Sequence, residues 1–175
     1  MSRATVEGTV AIRGRDIWYR IDGADTGGIP LLVIHGGPGL SHDYLLPLVR
    51  LADTRPVILY DQFGCGRSER PLAPYPYSLE DYVEELTLIR EALCPGPVHI
   101  LGQSWGTMLA TEYLLTRKPS GIVSLVFSGP CLSASRWEAD QIQYRELLPP
   151  LLRDAFIRHE AGGSYDSPEY LEAVD

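Results

Sequence analysis

Apolar residues in this chain follow two regimes that alternate along its length. Short unbroken runs occur at 30–34 (PLLVI), 56–60 (PVILY), 98–101 (VHIL) and 122–127 (IVSLVF). Runs without polar alternation mark strands covered on both faces. Between them the spacing lengthens to three and four. Residues 41–52 carry Tyr44, Leu45, Leu48, Val49 and Leu51 as packing positions, and 79–93 carry Leu79, Val83, Leu86, Ile89 or Arg90, and Leu93. Met108, Leu109, Tyr113 and Leu114 keep the same period up to Arg117. Each stretch predicts a helix, the second with Ser78 as N-cap and Glu80 and Asp81 in its first turn. Upstream, 5–12 and 16–21 read as antiparallel strands joined across Gly14-Arg15. Strands alternating with helices predict an α/β fold, a mostly parallel sheet with helices on both faces.

From Ser133 the pattern changes. Trp137, Ile142, Tyr144, Leu147, Leu148, Leu151, Leu152, Phe156 and Ile157 lie in an acid- and arginine-rich region with no strand run. Gly162-Gly163 closes it, and Ser167-Pro168-Glu169 opens another helix with N-cap, N1 proline and first-turn acid. That helix has about two turns at Asp175 and no C-cap, which reads as truncation. The expected organisation is residues 1–130 as the first part of an α/β core and 131–175 as an incomplete helical region.

In such sheets ligands bind where strands end at their carboxyl side. Three unusual loops fall there: HGGPG at 35–39, DQFGCGRS at 61–68 and GQSWG at 102–106. The last is a G-x-S-x-G pentapeptide between a strand and a helix, the context that holds a nucleophilic serine in a strained turn between small neighbours. Ser104 is the candidate nucleophile. The N–H of Trp105 is the first donor for a tetrahedral oxyanion, and the second comes from the loop after residue 34, with Gly37 favoured over Gly36. Asp61 and Arg67 read as a buried support pair, His35 as shaping its loop, and His42 and His99 as structural. An acid and then a histidine should follow the serine. The histidine that follows is His159, in a helical Arg158-His159-Glu160 segment where it reads as solvated or packed rather than as a base.

Composition narrows the partners. The 175 residues carry a net charge of -8 and a pI near 5.0, which argues against nucleic acid or an anionic membrane as main partner. The N-terminus has no apolar signal region, and no run approaches the roughly 20 apolar residues of a bilayer span. Three cysteines without C-x-x-C spacing read as reduced thiols in a cytoplasmic protein. Four scattered histidines give no metal-ligand spacing, and no cofactor is expected.

HGGPG, DYLLP at 43–47, DQFGCGRS and GQSWG together resemble the proline iminopeptidase family, α/β-hydrolases that remove N-terminal residues, with the tricorn-interacting aminopeptidase a close relative. The resemblance implies the α/β-hydrolase fold, Ser104 as nucleophile, Gly37 and Trp105 as oxyanion donors, and Gly36, Gly37 and Trp105 against the substrate. It implies a helical cap from Ser133 and a small peptide or amino-acid amide as substrate. The family's catalytic aspartate and histidine, its amine-binding cap glutamates and its C-terminal strands lie beyond Asp175. Residues 1–175 alone are therefore expected to be inactive, with the missing half a candidate second chain. A related esterase, amidase or lactonase, or a noncatalytic fragment, are the alternatives.

Overall fold

The computed structural model describes residues 4–72 and 77–174; Pro74 and Pro76 of the proline-rich loop lie outside them. Six strands form one sheet, β1 (Thr5–Ile12), β2 (Arg15–Asp22), β3 (Leu31–Ile34), β4 (Val57–Tyr60), β5 (Val98–Gln103) and β6 (Ile122–Ser128), in the order β1-β2-β4-β3-β5-β6. β4, β3, β5 and β6 are parallel, while β2 pairs antiparallel with both β1 and β4. The hairpin turn lies one residue earlier than expected. Arg13 and Gly14 both adopt positive φ, 51° and 76°, the two-residue turn whose twist matches a β-hairpin.

The unbroken apolar runs split by parity between two cores. Leu32, Ile34, Ile58 and Ile100 face α1 (Leu79–Leu93) and α2 (Trp105–Arg117) through Val83, Leu86, Ile89, Leu109 and Tyr113. Leu31, Val33, Val57, Leu59 and Leu101 face the opposite layer, where Leu45 and Ala52 pack. Helix α1 starts at a capping box: Ser78 Oγ accepts the Asp81 N–H, and Asp81 Oδ2 accepts the Ser78 N–H.

The helix expected over 41–52 is a 3-10 helix over Asp43–Asp53 with Pro47 inside it. Proline offers no N–H and crowds the carbonyl four residues back, so the tighter winding is tolerated where an α-helix is not. Of the packing positions read there, Leu45 is buried, Leu48 and Val49 are partly buried, and Tyr44 and Leu51 are exposed. β6 pairs only with β5 among the described residues, and Val123, Leu125, Val126 and Phe127 are exposed.

The chain divides into two compact units, residues 1–132 and 133–175. The second holds α3 (Ala134–Glu146), α4 (Pro150–Gly162) and α5 (Pro168–Val174). Within it the Arg145 guanidinium grips the Glu160 carboxylate at 2.6 and 2.8 Å, tying α3 to α4. Phe156 meets the Tyr170 ring edge-on at 5.5 Å.

Candidate active site

β3 lies between β4 and β5, so the connection after β3 goes to one side and the later return to β5 goes to the other. The loops leaving β3 and β5 diverge there, the crevice where open α/β sheets place ligands. Ser104 is the single residue between β5 and α2. Its φ of 50° and ψ of -118° lie outside the regions L residues favour. The neighbouring glycines show why the turn is possible. A Cβ on Gly106 would overlap the Ile34 and His35 carbonyl oxygens, and one on Gly102 the Gly106 carbonyl. Strand and helix pass too closely for any side chain. The backbone of Ser104 is pinned on both sides: its N–H donates to Ser128 O at 2.9 Å, and its carbonyl accepts the Thr107 N–H at 2.9 Å and hydroxyl at 2.6 Å.

Trp105 is the first residue of α2, where a helix supplies no acceptor for the N–H and its dipole favours negative charge. Gly37 is exposed and sits at φ 127°, accessible to glycine and not to other residues. Gly36 differs from the other candidates. It is buried, and its N–H already donates to the Tyr44 hydroxyl at 2.7 Å, so that N–H is not open to a substrate. The same hydroxyl donates to Gln103 Oε1 at 2.7 Å.

Gln62 joins the three loops. It is fully buried; its N–H donates to His35 Nε2 at 3.0 Å and its side-chain amide donates to His35 O at 3.0 Å. Its Oε1 accepts the Trp105 indole N–H at 3.1 Å. Because His35 Nε2 accepts, the ring proton sits on Nδ1, which donates to Gly36 O at 2.8 Å. Burial holds the His35 pKa below the ordinary imidazole value, which keeps this tautomer neutral.

Asp61 is fully buried, as a support residue should be, but its partner is not the Arg67 guanidinium. It accepts the His42 N–H at 2.8 Å, His42 Nδ1–H at 2.9 Å and only the backbone N–H of Arg67, at 2.9 Å. Gly66, at φ 47°, presses against the Asp61 carboxylate and turns the chain so that the Arg67 side chain leaves outward. The guanidinium bonds Glu7 at 2.9 Å and covers the Trp18 ring at 4.5 Å. Glu7 therefore holds a cation.

Each histidine has hydrogen-bond partners of its own. His35 and His42 are held as above, and His99 Nδ1 meets Ser124 Oγ at 2.8 Å. In the second unit, His159 meets Ser164 and Ser167 through Nδ1 at 2.9 and 3.0 Å, and Glu169 through Nε2 at 2.9 Å. Ser167 Oγ also accepts the Tyr170 N–H at 3.1 Å, so this cluster staples a helix start. Among the described residues of the first unit no imidazole is hydrogen-bonded to the Ser104 hydroxyl.

The hydrogen-bonding roles of Tyr44, Gln62 and Glu85 escaped the sequence reading. Glu85 is buried within the Tyr82, Val83, Leu86, Ile89 stripe of α1, and its place three residues from Tyr82 and four from Ile89 was the available signal. Its Oε2 accepts the Phe63 N–H at 3.1 Å, and burial pushes its pKa up to about 7. Cys65, Cys94 and Cys131 are free thiols; burial raises Cys94 to about 11 and also lifts Cys65. Among the described residues no cluster of three or more His, Cys, Asp or Glu could hold a metal, and no helix is long and apolar enough to cross a membrane.

The model of the α/β-hydrolase fold family matches residues 29–161. A proline iminopeptidase of Heyndrickxia coagulans is 47% identical over 97% of this chain and 58% of its own length. One from Clostridium botulinum is 43% identical over 89% of this chain and 54% of its own length. The crystal structure of Mycobacterium smegmatis proline iminopeptidase superposes with a TM-score of 0.85 at 37% identity, over 96% of this chain and 58% of that one. The crystal structure of VinJ gives a TM-score of 0.90 at 33% identity, over 97% and 58%. The chain thus spans less than three-fifths of the length of these relatives. With a strained serine between β5 and α2 and a glycine loop beside it, this chain belongs to the α/β-hydrolase fold family.

Proposed function

We propose that the complete protein is a serine hydrolase of the proline iminopeptidase type, releasing N-terminal residues from small peptides or amino-acid amides. The observation that carries this is Ser104 held at φ 50° between β5 and α2, one strand away from the HGGPG loop. The relatives named proline iminopeptidase, 37–47% identical, narrow the substrate class. Ser104 Oγ attacks the carbonyl carbon of the first peptide bond and gives its proton to a base supplied from outside the described residues. The carbonyl oxygen becomes an oxyanion, taken by the Gly37 and Trp105 N–H groups. Collapse expels the amine with that proton, and water then releases the acyl group from Ser104. Gly36 shapes the loop rather than touching substrate.

In this reading residues 1–130 belong to the catalytic core and 131–175 begin a cap, and the remaining triad members come from a further segment or a second chain. The free thiols support a cytoplasmic site of action, which cell fractionation tests. The discriminating experiment labels the complete protein with a fluorophosphonate and compares turnover of proline anilide with that of acyl esters. Loss of labelling in Ser104→Ala with preference for the anilide supports the reading. Unchanged labelling overturns it, and preference for esters moves the protein to a related esterase.

A further inference from the structure

We infer that the Tyr44 hydroxyl is a positioning group for the oxyanion hole, locking the loop that carries Gly37 to the segment that carries Trp105. The inference rests on the serine-hydrolase reading and names a residue that this reading leaves unused. The two donors stand on different loops. The β3–β5 ladder runs only to the pair Ile34 and Gly102, so no strand pairing joins these two segments to each other beyond it. There the Tyr44 hydroxyl takes over, accepting from Gly36 N–H at 2.7 Å and donating to Gln103 Oε1 at 2.7 Å. A hydroxyl suits this place because it accepts and donates through one atom.

The consequence falls on the Gly36–Gly37 peptide. Its carbonyl end accepts from His35 Nδ1 at 2.8 Å, and the N–H of Gly36 is held by Tyr44, so Gly36 is anchored on both sides. The Gly37 N–H, next along the chain, is thereby oriented. Packing is equally close, since a Cβ on Gly36 would strike Gln103 Oε1 and touch the Tyr44 hydroxyl. Burial does not explain the tyrosine, which is 43% exposed on a 3-10 helix anchored instead by Leu45 and Ala52. Oxyanion donors act within a few tenths of an ångström of about 2.9 Å. A loosened loop therefore weakens transition-state binding more than ground-state binding.

The test uses the complete protein with proline anilide, the aldehyde of proline as a tetrahedral adduct former, and a fluorophosphonate. Tyr44→Phe should lower kcat by about tenfold, with KM within about twofold, since a donor is misaligned rather than removed. Aldehyde affinity and phosphonate labelling rate should fall in parallel. Gln103→Leu should show the same split, and the double variant should be no worse than the poorer single one, because both break one bridge. Should Tyr44→Phe fail to fold, Gln103→Leu carries the test. A kcat within twofold of the parent, a loss confined to KM, or additive losses would overturn the inference. A Ser104→Ala variant that still turns over would instead sink the hydrolase reading itself.

Discussion

Gln62 accepts the indole N–H of Trp105 at 3.1 Å while its amide donates to His35 O at 3.0 Å. One buried side chain thus spans the loops that follow β3, β4 and β5. Gln62→Leu keeps the volume and strands two polar groups without partners. Unpaired buried groups cost about 1–3 kcal/mol each, so a loss of roughly 2–6 kcal/mol is expected. Urea midpoints of the complete protein measure it; a loss below about 0.5 kcal/mol would contradict the linking role.

The elbow glycines give a steric prediction. Gly106→Ala places a methyl into the Ile34 carbonyl, and backbone cannot yield there as a flexible side chain could. Expected is loss of soluble protein or destabilisation of more than about 4 kcal/mol, an exceptional value for one methyl. Gly27→Ala, with open space around its Cβ, is the control and should stay within about 0.5 kcal/mol. Equal behaviour of the two variants in thermal melts would refute the packing account.

Glu85 predicts a pH dependence. Its folded pKa, pushed up to about 7 from 4.5 by burial, means the folded state holds the proton between those values. Stability from this group is complete below pH 4.5 and is lost as pH rises to 7, a loss on the order of 3 kcal/mol. His35 acts oppositely. Its lowered pKa makes the unfolded chain bind the proton first, so stability is lost as pH falls below 6.5. Glu85→Gln removes the first dependence and can still accept the Phe63 N–H. The variant should therefore gain over the parent at pH 8 and not at pH 4.5, read as denaturant midpoints. An equal difference at both pH values would rule out a buried, proton-holding Glu85.

Among the described residues the outer edge of β6 pairs with no strand, and Val123, Leu125 and Phe127 on it are exposed. Such an edge pairs with other chains. Residues 1–175 expressed alone should associate in a concentration-dependent way, seen by light scattering, and show no peptidase turnover. Val123→Lys with Leu125→Lys should reduce the association. A monodisperse monomer with a sharp unfolding transition would disprove this.

The order of elements, the parallel sheet and the strained turn at Ser104 were legible in the sequence because each depends on local pattern. Unbroken apolar runs require cover on both faces, and a serine flanked by Gly102 and Gly106 between strand and helix admits few backbone paths. Partners were not legible. Asp61 and Arg67 lie six residues apart, yet the positive φ of Gly66 turns the guanidinium out to Glu7 and leaves Asp61 to His42. Tyr44 looked like a packing residue by spacing; the 3-10 winding around Pro47 and the approach of Gly36 to Gln103 made its hydroxyl a bridge. Gln62 carried no signal of its own beyond its motif, since its role exists only where three strands end side by side. Local pattern specifies which backbone conformations are affordable, whereas hydrogen-bond partners across 27 to 59 residues of chain are chosen by the strand order that brings them together.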